Sequence, residues 1–216
     1  MQKLRVHNFC ISLDGYAAGP DQRVDQPLGR GGERLHDWLF RSAADGELHA
    51  VDQAYRAAGD EGIGATIMGR NMFGPVRGPW PDNSWRGWWG EQPPFGHPVF
   101  VLTHHFRPSL EMRGGTAFHF LDVDAAEAVE IAFDAANGKD VRLGGGAATV
   151  RRFLLDGLVD ELHLVVVPLL LGAGERLFEH GAGADYVVDR PVEGESGVLH
   201  VRLTAPGFDD EAAPDD

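Results

Sequence analysis

The chain is poor in cysteine and in positive charge, and it has no long apolar run. Its one cysteine, Cys10, can form neither an internal disulfide nor a cysteine-based zinc site. No stretch approaches the roughly 20 consecutive apolar residues that a membrane-spanning helix needs. No apolar signal-peptide core follows Met1 either. We therefore expect a cytoplasmic protein.

Acidic residues outnumber basic ones, with 33 aspartates and glutamates against 19 lysines and arginines and a formal net charge of −14. Nucleic acids and anionic membranes bind to basic surfaces, so neither partner is expected. Part of the negative charge lies in residues 208–216, which we predict to be a disordered acidic tail. An acidic interaction segment is the alternative.

A length of 216 residues suits one domain with a substantial core, which we place at residues 1–207. Strands are predicted at residues 4–13, 65–68, 99–103, 141–143 and 161–167, and helices around residues 35–39, 48–55, 125–136 and 147–155. Asp45 and Asp124 are predicted to cap the second and third of these helices. The last strand patterns, at residues 186–189 and 198–203, indicate a closing hairpin. The order predicts an α/β fold with a mixed, mostly parallel sheet flanked by helices and a C-terminal antiparallel hairpin.

The strongest local signal is a run of three glycines at residues 144–146, between a predicted strand and a helix that starts at Ala147. Glycines let a diphosphate approach the backbone, and the free amides at a helix start favour negative charge. On spacing alone, a tight strand-to-helix turn is as good an interpretation. The run is not a Rossmann fingerprint, because the third glycine of that spacing would fall on Thr149, and no Gly-Lys-Ser/Thr follows it.

A second strand end carries Gly69 followed by Arg70. The planar guanidinium of Arg70 offers a fork of donors that suits an adenosine 2′-phosphate or a diphosphate. A surface arginine that opens a helix is the alternative, which this segment alone favours.

A third strand end carries Thr103 and the histidine pair His104 and His105. Adjacent strand residues point to opposite faces and seldom ligate one metal, so no metal site is predicted. A polar, partly cationic strand end near bound phosphate is the functional interpretation, and a surface loop is the alternative.

In this order the segments resemble the dihydrofolate-reductase-like superfamily, in particular the branch that includes the C-terminal reductase domain of bacterial riboflavin biosynthesis proteins. The matching segments are residues 12–21 (SLDGYAAGPD), 68–73 (MGRNMF), 101–103 (VLT) and 143–178. The last segment contains the three glycines, LVDELHL at 158–164 and LGAG at 171–174. The likeness spans roughly residues 4–204 in family order.

The resemblance implies that NADPH lies across the strand ends, with its diphosphate at the glycine loop and its nicotinamide beside the loop after the first strand. The residues expected to bind it are Ala17, Ala18, Gly19, Gly69, Arg70, Asn71, Thr103, His104, Gly144, Gly145, Gly146, Ala147, Ala148 and Thr149.

On the substrate side the resemblance implies a role for Asp14, which we predict to be catalytic. An aspartate that satisfies backbone amides in a turn is the alternative, since Asp-Gly pairs are common in turns. The residues expected to bind substrate are Asp14, Trp80, Leu171 and Gly172. Trp80, Trp85, Trp88 and Trp89 form either a wall for a flat heterocycle or the packing of a long loop or a dimer contact.

Three departures from the pattern leave the substrate open. Riboflavin-type reductases carry a lysine six residues before the aspartate, where this chain has Asn8. The zinc signature of a fused deaminase is absent. Folate reduction usually uses a carboxylate on the first helix, and no spacing selects one among Asp37, Asp45, Glu47 and Asp52.

The resemblance therefore implies an NADPH-dependent reductase that transfers hydride to a C=O or C=N bond of a small, heterocyclic substrate. A pocket water, Asp14 or a histidine would supply the proton. The alternatives are a non-catalytic dinucleotide-binding member of the same fold, or an interaction protein that uses its insertions at 20–32 and 74–98. We also expect a homodimer, and we expect His163 and His200, in strand patterns, to be structural.

Overall fold

The computed structural model describes residues 1–44, 49–74, 77–179 and 185–207, except for the side chains of residues 41–44. The predicted cap Asp45 and the predicted acidic tail at 208–216 lie outside the described residues. Within the described part, no helix is long and apolar enough to cross a membrane.

Strands and helices alternate along the chain. The strands are β1 (Leu4–Ser12), β2 (Tyr16–Ala18), β3 (Ile63–Gly69), β4 (Pro98–Leu102), β5 (Leu110–Glu111), β6 (Ala117–Leu121), β7 (Asp140–Leu143), β8 (Glu161–Val167), β9 (Glu175–Arg176), β10 (Val187–Val188), β11 (Val192–Glu193) and β12 (Leu199–Thr204). The helices are α1 (Asp37–Ala44), α2 (Ala50–Ala58), α3 (Arg70–Phe73), α4 (Ala125–Ala135) and α5 (Ala147–Leu155), with 3₁₀ helices at Gly32–His36 and Arg113–Gly115.

The main sheet runs in the order β10-β12-β8-β1-β7-β3-β4-β6-β5, and β11 also pairs with β12. The strands from β8 to β6 in this order are parallel, whereas β12 is antiparallel to β8, β10 and β11. The predicted mixed, mostly parallel sheet with an antiparallel C-terminal end is confirmed. Strands β2 and β9 form a separate antiparallel pair.

Strand β6 was not predicted. It extends the sheet beyond β4, and Phe118 on it is fully buried. The polar residue His119 lies within β6, and a turn at 113–115 comes shortly before it. The apolar run is therefore short, and its period is not evident from the sequence.

Apolar side chains of β1 pack into one core along most of the strand. Leu4, Val6, Phe9 and Ile11 of β1 all belong to the cluster that packs under α4 and α5. Strict alternation would place residues 4 and 6 opposite residues 9 and 11. A register shift between Val6 and Phe9, with Asn8 at φ 54°, inserts one residue and restores the facing. The bulge therefore keeps a single strand in one core along its length.

A buried polar network joins α2 to β1, β8 and β12. Asp52 accepts a hydrogen bond from Nε2 of His200 at 2.9 Å, and Nδ1 of His200 lies 3.1 Å from Nε2 of His163. The backbone N–H of Asn8 donates to Nδ1 of His163 at 3.2 Å. Tyr55 stacks on both imidazoles. One set of neutral tautomers satisfies every bond, with His163 and His200 each donating from Nε2 and accepting at Nδ1.

Acidification is expected to destabilise the fold through His163. Burial is the main cause that lowers the pKa of His163 to about 3, from an ordinary value of 6.5. Between these two values the unfolded chain binds a proton here that the folded protein does not. Stability present above pH 6.5 is therefore lost as the pH falls, by up to about 1.4 kcal/mol per pH unit. Urea unfolding at about pH 7.5, 6.5, 5.5 and 4.5 measures this loss of unfolding free energy.

The variant His163→Gln keeps a donor and an acceptor but does not titrate, so its unfolding midpoint should depend less on pH than that of the wild type. The control is His104→Gln, which changes a histidine whose side chain is 91% exposed. The control should keep the pH dependence of the wild type. The same dependence in all three proteins would contradict the role given to His163.

Candidate functional site

A cleft opens where β1 and β7 part. The two strands pair only at Leu4 with Val141 and at Arg5 with Arg142, and β7 ends at Leu143. The glycine loop then leaves the sheet and exposes the wall of β1 at residues 8–10. The resulting cleft has a volume of about 470 Å³, and its lining combines β1, β2, the start of α3 and the start of α5. Its size is in the range of small-molecule sites.

Many of the residues predicted to bind a cofactor line this one cleft. They are Ala17, Ala18, Arg70, Asn71, Gly144, Gly145, Gly146, Ala147, Ala148 and Thr149. Other predicted site residues are not among the lining residues of the described chain, namely Asp14, Gly19, Gly69, Trp80, Thr103, His104, Leu171 and Gly172. The structure therefore brings together β2, the β3–α3 junction and the glycine loop, and leaves the predicted substrate residues outside the lining.

The start of α5 offers free backbone donors beside the cleft. Gly146 is the N-terminal cap residue and makes no side-chain cap, and the first helical bond runs from the N–H of Val150 to the Gly146 carbonyl at 3.0 Å. The amides of the first turn therefore have no partner within the helix. A Cβ built on Gly146 would meet no atom within 4 Å, and residues 146–149 line the cleft, so there is open space at this helix start. Free amides, a helix dipole and open space together suit an anion.

Gly69 does not line the cleft but packs against two residues that do, Gly145 and Thr149. Its N–H donates to the carbonyl of Gly145 at 2.7 Å, which ties the end of β3 to the glycine loop. A Cβ at Gly69 would collide with Oγ1 of Thr149 and lie 3.2 Å from Thr149 Cβ. Only glycine at position 69 allows β3 and α5 to approach this closely. Gly145 itself has φ +131°, a conformation that other residues rarely adopt.

Arg70 is half-buried at the start of α3. Its Nη1 donates to Oγ1 of Thr103 at 3.3 Å, and its guanidinium carbon lies 3.5 Å from the ring centroid of Trp80. Nε and Nη2 of Arg70 are buried and have no hydrogen-bond partner within the part of the chain that the structure describes. Thr103 is not among the lining residues of the cleft, but it contacts Arg70, which is. His104 is highly exposed and pairs with Asp122 at 2.7 Å.

Asp14 lies in the turn after β1, and both of its carboxylate oxygens accept hydrogen bonds. The Ser12 hydroxyl donates to Oδ1 at 2.6 Å, and the amides of Leu171 and Gly172 donate at 3.1 and 2.7 Å. These donors, the Ser12 hydroxyl foremost, lower the pKa of Asp14 to about 2. Asp14 is therefore an anion that fastens the 171–172 loop to the end of β1.

The structure adds His36 to the lining, a residue that the sequence analysis did not select, and it places Trp88 and Trp89, two of the four tryptophans considered for a wall, in the lining as well. His36 ends the 3₁₀ helix before α1, and its Nδ1 is buried. Burial lowers the pKa of His36. Trp88 and Trp89 belong to the long loop after α3 and form part of the wall of the cleft. Trp85, from the same loop, packs against Trp88. No spacing in the sequence marks His36 or decides which tryptophans line the cleft, because loops bring these residues to it.

One group of metal-ligand side chains is close together in the described residues, formed by His49, Asp52 and Glu195. Its carboxylates already serve protein hydrogen bonds. Glu195 accepts from the amides of Val51 and Asp52, and Asp52 accepts from His200 and from the amide of Ser196. The group fastens the start of α2 to the turn before β12.

Residues 5–188 match the protein family described as the RibD C-terminal domain. The chain belongs to this family. A structure from Shewanella sp. PV-4, of a protein named for riboflavin biosynthesis, is 20% identical with a TM-score of 0.60, covering 93% of this chain and 98% of that one. RibD of Acinetobacter baumannii is 16% identical with a TM-score of 0.50, covering 94% of this chain and 58% of that one.

These structural likenesses show that this member of the RibD C-terminal domain family has the dihydrofolate-reductase-like fold. The resemblance drawn from the sequence is confirmed. A comparison with curated proteins finds no match.

The close approach at Gly69 predicts a steric test. The variant Gly69→Ala should lower the free energy of unfolding by about 1–3 kcal/mol, because its methyl group is forced against Thr149. The control Gly146→Ala adds the same methyl group where no atom lies within 4 Å and should change stability by no more than about 1 kcal/mol. Urea unfolding measures both. Equal stability of the two variants would show that the contact does not constrain the fold.

Proposed function

We propose that this protein is an NADPH-dependent reductase that transfers hydride to a C=O or C=N bond of a small heterocyclic substrate. The observation that carries the proposal is the juxtaposition, in one cleft, of the uncapped start of α5 and of Arg70, two of whose guanidinium nitrogens have no hydrogen-bond partner among the described residues. Two clusters of unsatisfied donors in a concave site suit a ligand with several phosphate groups. The family match and the fold support the same activity.

The residues present fit NADPH. Sheet order β1-β7-β3 sets β1 and β3 about 10 Å apart, with the glycine loop between them. The amides of residues 147–149 would take the diphosphate, and Arg70 with Asn71 would take the adenosine side. Ala17 and Ala18 of β2 would border the nicotinamide. When bound, NADPH supplies a hydride at C4 of the nicotinamide, and the protein supplies orientation and a dry wall.

His36 is the group that we propose to exchange a proton with the substrate. It lines the cleft together with Asn8 and Cys10, so that its imidazole is close to any ligand bound there. Burial raises the pKa of the neighbouring Cys10 thiol to about 12, so that thiol keeps its proton. Glu175, on the β9 side of the same cleft, is the second candidate.

The roles predicted for Asp14, Leu171 and Gly172 stay proposals. Because Asp14 holds the amides of both other residues, substitution would release the 171–172 loop. The homodimer and the absence of nucleic-acid and membrane partners also remain predictions from the sequence.

Fluorescence titration of the protein with NADPH and with NADH tests the cofactor. Micromolar binding of NADPH is expected, with weaker binding of NADH. Arg70→Ala should weaken NADPH by about tenfold or more, because a charge-assisted contact to phosphate is lost. The control Arg190→Ala removes an exposed arginine and should leave binding unchanged. No binding of either dinucleotide would overturn the proposal, whereas binding without turnover across carbonyl and imine substrates would indicate a non-catalytic member.

A substitution of Asp14 separates the two interpretations of that residue. Asp14→Asn keeps one acceptor oxygen but removes the charge that faces the amides of Leu171 and Gly172. If Asp14 acts by fastening this loop, the melting temperature should fall and NADPH affinity should change by less than about threefold. Calorimetry and the same titration measure both. An unchanged melting temperature would contradict the fastening role.

A further inference from the structure

Trp80, expected to face the substrate, lies against Arg70 instead. The guanidinium carbon of Arg70 is 3.5 Å from the centroid of the indole ring, which is the distance of a close cation–π stack. The indole Nε1 donates to the carbonyl of His105 at 3.1 Å. The ring is therefore fixed by the segment that follows β4, and Trp80 is not among the lining residues of the cleft.

A second arginine strengthens this attachment. Arg107 is only 3% exposed, and its guanidinium carbon lies 4.8 Å from the same indole centroid. Its Nη2 donates to the carbonyls of Asn83 and Trp85, so it anchors the loop that carries Trp80. Phe73 and Phe120 pack edge-on against the indole. The indole thus has little freedom to move.

The stack and the bond to Thr103 fix the orientation of the Arg70 guanidinium. The indole takes the flat face of the guanidinium, and Thr103 takes Nη1. Nε and Nη2, the pair that forms a side-on fork, are left without a hydrogen-bond partner among the described residues. Such a fork matches two oxygens of a phosphate or carboxylate. Buried donors without partners are costly, and an anion would relieve that cost.

Local charge favours an anion of more than one negative charge. No ion pair with a carboxylate is found for Arg70 or Arg107 within residues 1–44, 49–74, 77–179 and 185–207. The carboxylate of Asp82 acts on Arg107 from beyond ion-pair distance, and Arg107 in turn acts on Arg70, so the two guanidinium groups form a positive centre that one carboxylate only partly offsets. A phosphate monoester carries the charge and the oxygen geometry that this centre lacks.

We infer that Trp80 is a positioning residue that holds the guanidinium of Arg70 in place for a phosphate monoester and so sets the preference for a 2′-phosphorylated dinucleotide. The inference rests on the proposed function, and it adds the residue that makes Arg70 selective. A flexible arginine loses rotamer freedom on binding, whereas a stacked one has lost it already. The stack therefore strengthens the phosphate contact without touching the ligand.

The experiment measures binding by isothermal titration calorimetry, with NADPH and NADH as the matched pair and adenosine 2′-monophosphate as a fragment that isolates the phosphate. In Trp80→Leu, NADPH and adenosine 2′-monophosphate should bind about tenfold more weakly, and NADH should change by less than about twofold. Trp80→Phe keeps an aromatic face and should recover most of the affinity. The control Trp85→Leu truncates another tryptophan of the same loop and should weaken both dinucleotides by the same factor.

Circular dichroism and thermal unfolding establish that each variant is folded. An equal loss for NADPH and NADH in Trp80→Leu would show that Trp80 only packs the loop, and so would no loss at all. Either result overturns the positioning role while the proposed function stands, because the wild type still binds NADPH. Failure of the wild type to bind either dinucleotide overturns both.

Discussion

The early separation of β1 from β7 is the constraint on which the cleft depends. The two strands are neighbours in the sheet, yet they share only two residue pairs before β7 ends at Leu143. The glycine loop then leaves β1. Gly69 has no side chain, so Thr149 of α5 can lie directly beside the end of β3. The bulge at Asn8 keeps the far half of β1 in the core and so preserves the wall of the cleft. Without this separation, the amides of α5 would face a strand rather than open space.

Sequence reasoning reached the parts of the site that backbone geometry fixes. The three glycines and the Gly69–Arg70 pair follow strands whose ends the topology brings to one edge, so local pattern and fold order were enough. The parts that loops deliver were not reachable. Trp80 was expected at the substrate and packs on Arg70, the sequence could not tell which of the four loop tryptophans line the cleft, and His36 lines it without a sequence signal. Side chains on long connections are placed by contacts with distant residues, which spacing does not encode.

The same division applies to the fold. Buried parallel strands and capped helices are marked by apolar runs, and Asp124 caps α4 as its position predicts, accepting from the amide of Glu127 at 2.9 Å. Strand β6 and the two-residue strands at the sheet edges have too little pattern of their own. They form because a neighbouring strand is already in place, as β6 forms along β4 through a full ladder. Tertiary context supplies what local propensity does not.

The two ends of the cleft differ in kind. At the β3 end, the guanidinium of Arg70 and the amides at the start of α5 offer a fixed positive site. At the β1 end, the wall consists of Asn8, the protonated thiol of Cys10 and His36, whose pKa burial lowers, so that at neutral pH this end carries little charge. A cofactor with phosphates is favoured at the first end and an uncharged, hydrogen-bonding group at the second. Because fold alone does not determine substrate, we expect the substrate selectivity of this chain to depend on this second wall rather than on the glycine loop.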